Sequence, residues 1–435
     1  MDSVYVNNFR GFTRAVFPIR SVNFLVGENS TGKSSFLALV QLLSQPEFWF
    51  NLDFNIGSYE FGGYRDIVSA LSRDQTEFQI GVCKGNGRTP EGNTYYLLHF
   101  REAKDGVPEL ARFSQLCRDN LATMRVSGKK LAAALSSDLP ACPDRSSPDA
   151  CFAFLQETVA SLSLGYRELT GDEAPFLRRS AIFSFPDILT RLFGEETSEA
   201  RLNASPFPGL AMSFASMAPI RTTPKRTYDG YTRRFSPEGE HTPYVIRERL
   251  PRNKNATNAF RRALEAFGAD SDLFQAVGIT RFGKDLASPF ELTVTLGAKA
   301  LRVNSVGYGV SQVLPVVVEL LTRGGNSWLA IQQPEVHLHP KAQAALGDVL
   351  FHAAIDASQT LFVETHSDYL LDRFRLSMRD HEHPKDFAQV VFFERTQDGN
   401  CIHPMVVDQR GEYPENQPPG FRKFFLAEQK RILGV

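Results

Sequence analysis

Residues Val22–Ser35 read VNFLVGENSTGKSS. The apolar run VNFLV has the look of a buried strand, and SSFLALVQLLS after it carries apolar residues at helical spacing. Between them Gly27-Glu28-Asn29-Ser30-Thr31-Gly32-Lys33-Ser34 fits GxxxxGK[ST] in the strand-then-helix context that pattern demands. Glycines let the backbone curl so that amide N–H groups face phosphate oxygens. The helix N-terminus adds partial positive charge. Lys33 is expected to reach the β- and γ-phosphates, and the Ser34 hydroxyl to ligate Mg²⁺. Gly27 to Ser35 are thus the expected contacts of ATP. The bland alternative, a chance Gly/Ser-rich turn, leaves the flanking strand and helix unexplained.

Outward from this loop, VYVNNF and RAVFPI predict a strand pair before VNFLVG, and EFQIGVC and TYYLLHF predict further strands. From about residue 101 to 215 the character shifts. LARFSQLCRDNLATM, GKKLAAALSS, DACFAFLQETVASLSLGY and FPDILTRLFG read as helices. Strands return at FELTVTL and ALRVNSV. Helix and strand then alternate through VSQVLPVVVELLT, WLAIQQ, PKAQAALGDVLFHAA and TLFVET, which predicts a mostly parallel sheet covered by helices. AQVVFFER reads as a last strand and PPGFRKFFLAEQKRIL as a closing helix. The expected organisation is α/β: an N-terminal lobe over 1–100, a helical insertion over 101–215 and a C-terminal lobe over 216–435.

Composition narrows the class. The 435 residues carry 48 Lys+Arg against 49 Asp+Glu, which argues against a globally basic nucleic-acid binder. Five scattered cysteines without a CxxC or Cys/His cluster make a disulfide frame or zinc site a poor reading and fit a reducing compartment. The start, MDSVYVNNFRGF, has no signal-peptide pattern, and no apolar run is long enough to span a bilayer. A cytoplasmic protein away from the membrane is expected.

Three further stretches stand in a suggestive order. NSVGYGVSQVLP (304–315) sets flexible backbone before an apolar helix; alone it reads equally as a turn and cap. LAIQQPEVHLHP (329–340) runs a strand into Gln332-Gln333-Pro334-Glu335. LFVETHSDYLL (361–371) ends a strand at Glu364-Thr365-His366; a histidine there suits a γ-phosphate contact or a water-organising role, or simply a loop cap.

With these stretches on the page the chain resembles the ABC-type ATPases of the RecF, SMC and overcoming-lysogenization-defect group. VNNFRGF followed by VNFLVGENSTGKSSFL is similar to their N-terminal lobe. GYGVSQVLP stands where their signature motif lies, IQQPEVHLHP where their Walker B and D-loop lie, and ETHSDYLL where their switch histidine lies. A branch with an (E)QPExHLHP Walker B, found in anti-phage defence systems, is the nearest pattern; MAPIRTTPKRTYDGY and PPGFRKFF also resemble its stretches. The resemblance covers about 1–100 and 215–435 and leaves the insertion uncovered. It implies a two-lobed ABC-type P-loop ATPase head with an antiparallel N-terminal lobe. It also implies a composite site, in which Gly307, Gly309 and Ser311 of one subunit close on ATP held by the P-loop of another. A homodimer or higher homo-oligomer follows. The catalytic set it implies is Gln332, Gln333, Glu335 and His366, with Ser34 and Gln332 on the metal.

That pattern has Glu where this chain has Gln332. An amide keeps the shape and loses the charge and the proton-accepting power. Slow or absent hydrolysis is expected, since a positioned base supplies on the order of 10²–10⁴ in rate. Gln332 is either native to a slow hydrolyser or a Glu→Gln change that traps the ATP-bound form. Glu335 and Glu364 are the remaining carboxylates near it. Arg221, Lys225, Arg226, Arg233 and Arg234, with Tyr228 and Tyr231 among them, suit a DNA or RNA backbone or equally a solvated loop. The functional expectation is an ATPase that oligomerises around ATP and regulates a separate effector protein, a nuclease or toxin, in prokaryotic anti-phage defence. The alternatives are a RecF- or SMC-like DNA-binding ATPase of repair and a hydrolysis-deficient nucleotide-dependent scaffold.

Overall fold

The computed structural model describes all residues except 1, 58–59, 73–74, 86–88, 129, 138, 162–163, 171–181, 195, 198–209, 211–212, 233, 252–257, 286 and 422–435. The expected closing helix lies largely, and Arg233 wholly, outside the described residues. The chain divides into two compact units, one of Met1–Arg20, Gly27–Met212 and Phe392–Pro404, the other of Ser21–Val26, Ser213–Val391 and Met405–Val435.

In the first unit the chain opens with β1 (Ser3–Phe9) and β2 (Phe12–Pro18); β3 (Val22–Gly27), a strand of the second unit's sheet, leads to the phosphate loop. Helices α1 (Lys33–Leu43), α2 (Pro46–Asn51) and α3 (Tyr64–Ile67) follow. Then come β4 (Glu77–Lys84), β5 (Thr94–Glu102), β6 (Pro108–Cys117), β7 (Asn120–Ser127) and β8 (Lys130–Ser136). Helix α4 (Pro148–Ser161), β9 (Arg167–Glu168) and α5 (Phe185–Phe193) complete it. The sheet runs β2-β1-β4-β5-β6-β7-β8-β9, antiparallel at every junction. β5 is buried at Thr94–Phe100, as suits a strand covered on both faces. On one face α4 lays Cys151, Phe152, Leu155 and Val159 against Tyr5, Tyr95 and Leu97, with the Tyr5 and Phe152 rings stacked at 4.8 Å. On the other, Phe78 and Phe100 stack at 5.0 Å with Phe54 edge-on.

Two elements differ from expectation. Residues 110–124 and 128–137, read as helices, form the β6–β7 hairpin and β8. The expected helical insertion is therefore a sheet extension in its first part, with α4 and α5 as its longer helices among the described residues. The reason is tertiary. β5 offers a free edge of nine residues, and the two-residue turn Arg118-Asp119, with Arg118 at φ 55°, returns the chain from Cys117 to its partner Asn120. Gly128, also at φ 55°, starts the next turn between Ser127 and Lys130. Ladder pairing and burial on the sheet outweigh the helix preference of LAAAL.

The second unit contains β10 (Phe214–Met217), α6 (Thr242–Arg249), α7 (Ala259–Ser271), β11 (Ala276–Arg281), β12 (Phe290–Leu296) and β13 (Lys299–Arg302). It continues with α8 (Tyr308–Thr322), β14 (Trp328–Gln332), α9 (Pro340–Asp356), β15 (Thr360–Glu364) and α10 (Asp368–Asp380); β16 (Ala388–Thr396) and β17 (Gly399–Val407) follow, their residues Phe392–Pro404 counting with the first unit. Its main sheet has the order β10-β14-β15-β3-β16-β17, parallel from β10 through β3. β11, β12 and β13 form a separate antiparallel sheet. The parallel strands WLAIQ, TLFVE and VNFLV are apolar almost throughout because helices leave neither face wet. The α/β class, with antiparallel and mixed sheets, is as expected.

Helix α8 is buried at every position from Val310 to Leu320. A polar lock holds its far end. Ser236 N–H donates to His241 Nδ1 at 3.1 Å, so the ring proton sits on Nε2 and is donated to Glu319 at 2.6 Å. Arg323 Nε donates to the other Glu319 oxygen at 3.0 Å. No helix among the described residues is long and apolar enough to cross a membrane.

Candidate functional site

The phosphate loop belongs to the first unit. β3 ends at Gly27, and α1 begins at Lys33, so Gly27–Gly32 form the connecting loop. Gly27 has φ 135°, and a Cβ there would collide with the Phe393 carbonyl oxygen. Gly32 has φ 100°, and a Cβ would enter the Phe12 ring. Both positions therefore require glycine, for conformation and for room. Lys33 is 4 % exposed; its Nζ donates to the carbonyls of Gly27 at 2.9 Å and Glu28 at 2.7 Å. The ammonium thus holds its own loop closed, and phosphate oxygens are the stronger acceptors it can exchange those carbonyls for. Thr31 donates to Glu28 O at 2.8 Å, and Arg395 Nη2 to Ser30 O at 2.6 Å. Glu28, Asn29, Ser30 and Ser34 are exposed, and Ser35 is half-buried. Open backbone around a helix N-terminus, beside a hydroxyl free to reach solvent, fits a nucleotide phosphate chain with Mg²⁺ on Ser34.

The remaining candidates gather at one edge of the second unit's sheet. β14, β15 and β3 run parallel, with Gln332 in register with Glu364 and Glu364 with Leu25. The carboxyl ends of three strands therefore lie side by side, where open α/β sheets place ligand chemistry. Past Gln332 the chain turns sharply. Gln333 has φ 45°, and its N–H donates to Glu364 O at 2.8 Å. The turn aims Glu335 back across to β15. One Glu335 oxygen accepts the Thr365 hydroxyl at 2.9 Å and the other the His366 N–H at 2.7 Å. Thr365 Oγ1 also accepts the Ser367 N–H at 3.1 Å, and Ser367 caps α10 through Leu370 N–H. Gln332, Gln333, Glu335 and His366 are thus one connected group. Glu364 is buried and His366 exposed. A buried carboxylate beside an amide, with an exposed histidine two residues on, is an arrangement that can orient water and accept a proton.

The start of α8 abuts the same turn. A Cβ on Gly309 would come 2.9 Å from His337 O, and the Tyr308 and His337 rings meet edge-on at 5.0 Å. Gly309 is needed there for close approach. Gly307 and Tyr308 are exposed, while Ser311 is buried and donates to Tyr308 O at 2.7 Å.

The basic stretch divides. Lys225, Arg226 and Arg234 are exposed. Arg221 is 2 % exposed and donates from Nη2 to Gln332 O at 3.0 Å. It is therefore withdrawn from any nucleic-acid surface: β10 pairs with β14 up to Met217↔Ile331, so the chain beyond them stays together. Sequence reasoning missed the contacts of Arg221 and Arg395, and it missed Thr365 and Gln312 altogether. Only the parallel register brings Thr365 and Arg221 to Glu335 and Gln332.

Two family models match the chain. Residues 1–85, with the phosphate loop, match "AAA ATPase domain". Residues 218–372, with Arg221, α8 and the strand-end group, match "AAA domain, putative AbiEii toxin, Type IV TA system". These matches support an ATPase. No curated protein matches significantly. Among solved structures, an SMC head bound to the C-terminal winged-helix domain of ScpA is 11 % identical over 93 % of this chain and 98 % of that one, with a TM-score of 0.43. The SMC head domain of Thermotoga maritima is 11 % identical over 92 % and 97 %, at 0.39. A Pyrococcus furiosus SMC head with an extended coiled coil, bound to the C-terminal domain of ScpA, is 11 % identical over 99 % and 100 %, at 0.42. Likenesses this loose imply nothing about what this chain does.

Proposed function

We propose that this chain is an ABC-type ATPase of the overcoming-lysogenization-defect-like kind. It binds Mg·ATP at Gly27–Ser35, associates with a second copy around the nucleotide, and so controls a separate effector, a nuclease or toxin, in prokaryotic anti-phage defence. The observation that carries the nucleotide part is the loop itself, with two glycines that tolerate no side chain and Lys33 folded onto its own carbonyls at the head of α1. In this reading Lys33 moves to the β- and γ-phosphates and Ser34 takes the metal, while Glu335, Glu364 and His366 are the groups able to order water and accept a proton. Gln332 carries no charge, so turnover is slow. Exposed Gly307 and Tyr308 are the part of the α8 start that is open to a second subunit. The defence role is supported by the match to a model whose description names a toxin and a toxin–antitoxin system.

A second reading, direct nucleic-acid contact in a repair-type ATPase, has the exposed Lys225, Arg226, Tyr231 and Arg234 in its favour. Light scattering in the presence of Mg²⁺ and a non-hydrolysable ATP analogue tests the association. A mass that doubles with the analogue, and does not in Lys33→Ala, is expected. A mass unchanged by nucleotide rules the clamp out. Salt-sensitive DNA binding lost in Lys225→Glu/Arg226→Glu favours the second reading.

A further inference from the structure

Arg221 is enclosed yet ionic. Arginine is almost never fully buried unless paired, because its five donors all need acceptors. Here Nη2 reaches Gln332 O at 3.0 Å, while Nε and Nη1 are buried with no hydrogen-bond partner among the described residues. Burial pulls the guanidinium down to about 10, and the nearby Glu335 carboxylate acts in the opposite direction. At neutral pH the group is charged. A latch between the chains leaving β10 and β14 could be made by any neutral donor. A charge enclosed at this cost needs an electrostatic reason, and Glu335 is the carboxylate whose field reaches it.

The backbone of Arg221 is held as well. Its N–H donates to Gln312 Oε1 at 3.3 Å, and its carbonyl accepts from Gln312 Nε2 at 3.4 Å. Gln312 follows Ser311 on α8. One carboxamide thus grips both sides of residue 221 and ties it to the helix that starts at the exposed Gly307-Tyr308 corner.

We infer that Arg221 is a positioning residue of the ATPase site: it fixes the end of β14 through the Gln332 carbonyl, holds Glu335 in its Thr365- and His366-bound pose, and links both to α8 through Gln312. It does not touch nucleotide; it acts through Glu335 and Gln332. The hydrolytic part of this inference rests on the ATPase reading, whereas the Arg221–Glu335 coupling does not.

The test uses the full chain in two arms. Melting temperatures are measured for the parent, Arg221→Met, Glu335→Gln and the double variant. Each single change removes one of two opposite charges, buried Arg221 or half-buried Glu335, and leaves the other without it, so the double variant is expected to lose several degrees less than the sum of the two. Losses that add to within about 1 °C overturn the inference, because independent sites add. In the second arm, ATP affinity and single-turnover hydrolysis are read together. Arg221→Met is expected to slow hydrolysis at least about tenfold, a modest share of what a positioned group supplies, while shifting affinity less than about threefold. Arg221→Lys, which keeps the charge, is expected to recover part of the rate. A rate unchanged in Arg221→Met, or a loss of affinity matching the loss of rate, overturns it. A parent that neither binds nor hydrolyses ATP fails the ATPase reading instead, and the melting cycle then decides the coupling alone.

Discussion

Gln332→Glu puts a carboxylate on β14 directly in register with buried Glu364 on β15. Adjacent strands lie about 4.8 Å apart. Two full charges at that separation repel by roughly 3 kcal/mol at an effective dielectric near 20. Arg221, already against the Gln332 carbonyl, offsets part of this, so a net loss of about 1–2 kcal/mol is expected for the nucleotide-free variant. A divalent cation held by the two carboxylates would reverse the sign, since both attract it. Two outcomes follow. The Gln332→Glu protein melts below the parent without nucleotide and gains more from Mg·ATP than the parent does. Its single-turnover hydrolysis at saturating ATP rises at least about tenfold, a conservative share of what a positioned carboxylate contributes. Melting curves with and without Mg·ATP and quenched-flow hydrolysis measure both. Equal rates together with equal Mg·ATP stabilisation in the two forms would refute the reasoning and leave Glu335 or Glu364 as the working carboxylate.

Three other outcomes are expected. Gly309→Ala forces a Cβ to 2.9 Å from His337 O, a backbone atom that cannot swing away, so about 1–2 kcal/mol should be lost despite the better helix propensity of Ala; a melting temperature at or above the parent's would contradict this. Thr365→Val keeps the volume but removes the donor to Glu335 and the acceptor for Ser367 N–H, costing roughly 2 kcal/mol or more and lowering turnover; denaturant unfolding reads the first and ATP hydrolysis the second, and a near-neutral variant would show that the Glu335 tether is unimportant. Acid sensitivity has a named contributor in the first unit: the His99 imidazole, its Nδ1 3.6 Å from Glu77 Oε1, outweighs burial, which opposes it, and brings Glu77 down to about 2 from the ordinary 4.5. A depressed carboxyl contributes stability above its unfolded value and loses it as pH falls from 4.5 towards 2. His99→Gln should therefore flatten the fall in melting temperature over that range, and an unchanged slope would argue against the pair.

Much of this was legible because it is local. GENSTGKS carries its glycines, lysine and helix start within eight residues, and α1 begins at Lys33 as that pattern requires. The alternation from VSQVLPVVVELLT to TLFVET foretold parallel strands under helices, since strands buried on both faces show as unbroken apolar runs. LARFSQLC and LAAALSS were illegible for the opposite reason: alanine and leucine suit either state, and the long free edge of β5 decided for strand. Arg221 misled as well. Its neighbours Lys225 and Arg226 are exposed as a basic loop should be, but residue 221 follows β10 too closely to leave the sheet edge. Thr365 and Gln312 carry no signal in sequence, because their partners lie thirty and ninety-one residues away.

The most direct measurement is calorimetric titration of Mg·ATP into the full chain and into Lys33→Ala, with a melting curve confirming that the variant folds. Micromolar-range binding to the parent, weakened at least about a hundredfold when the ammonium that bridges the phosphates is gone, is the predicted result. A folded Lys33→Ala protein that binds Mg·ATP as tightly as the parent, or a parent that takes up no heat at all, would contradict the assignment of Gly27–Ser35 as the nucleotide site.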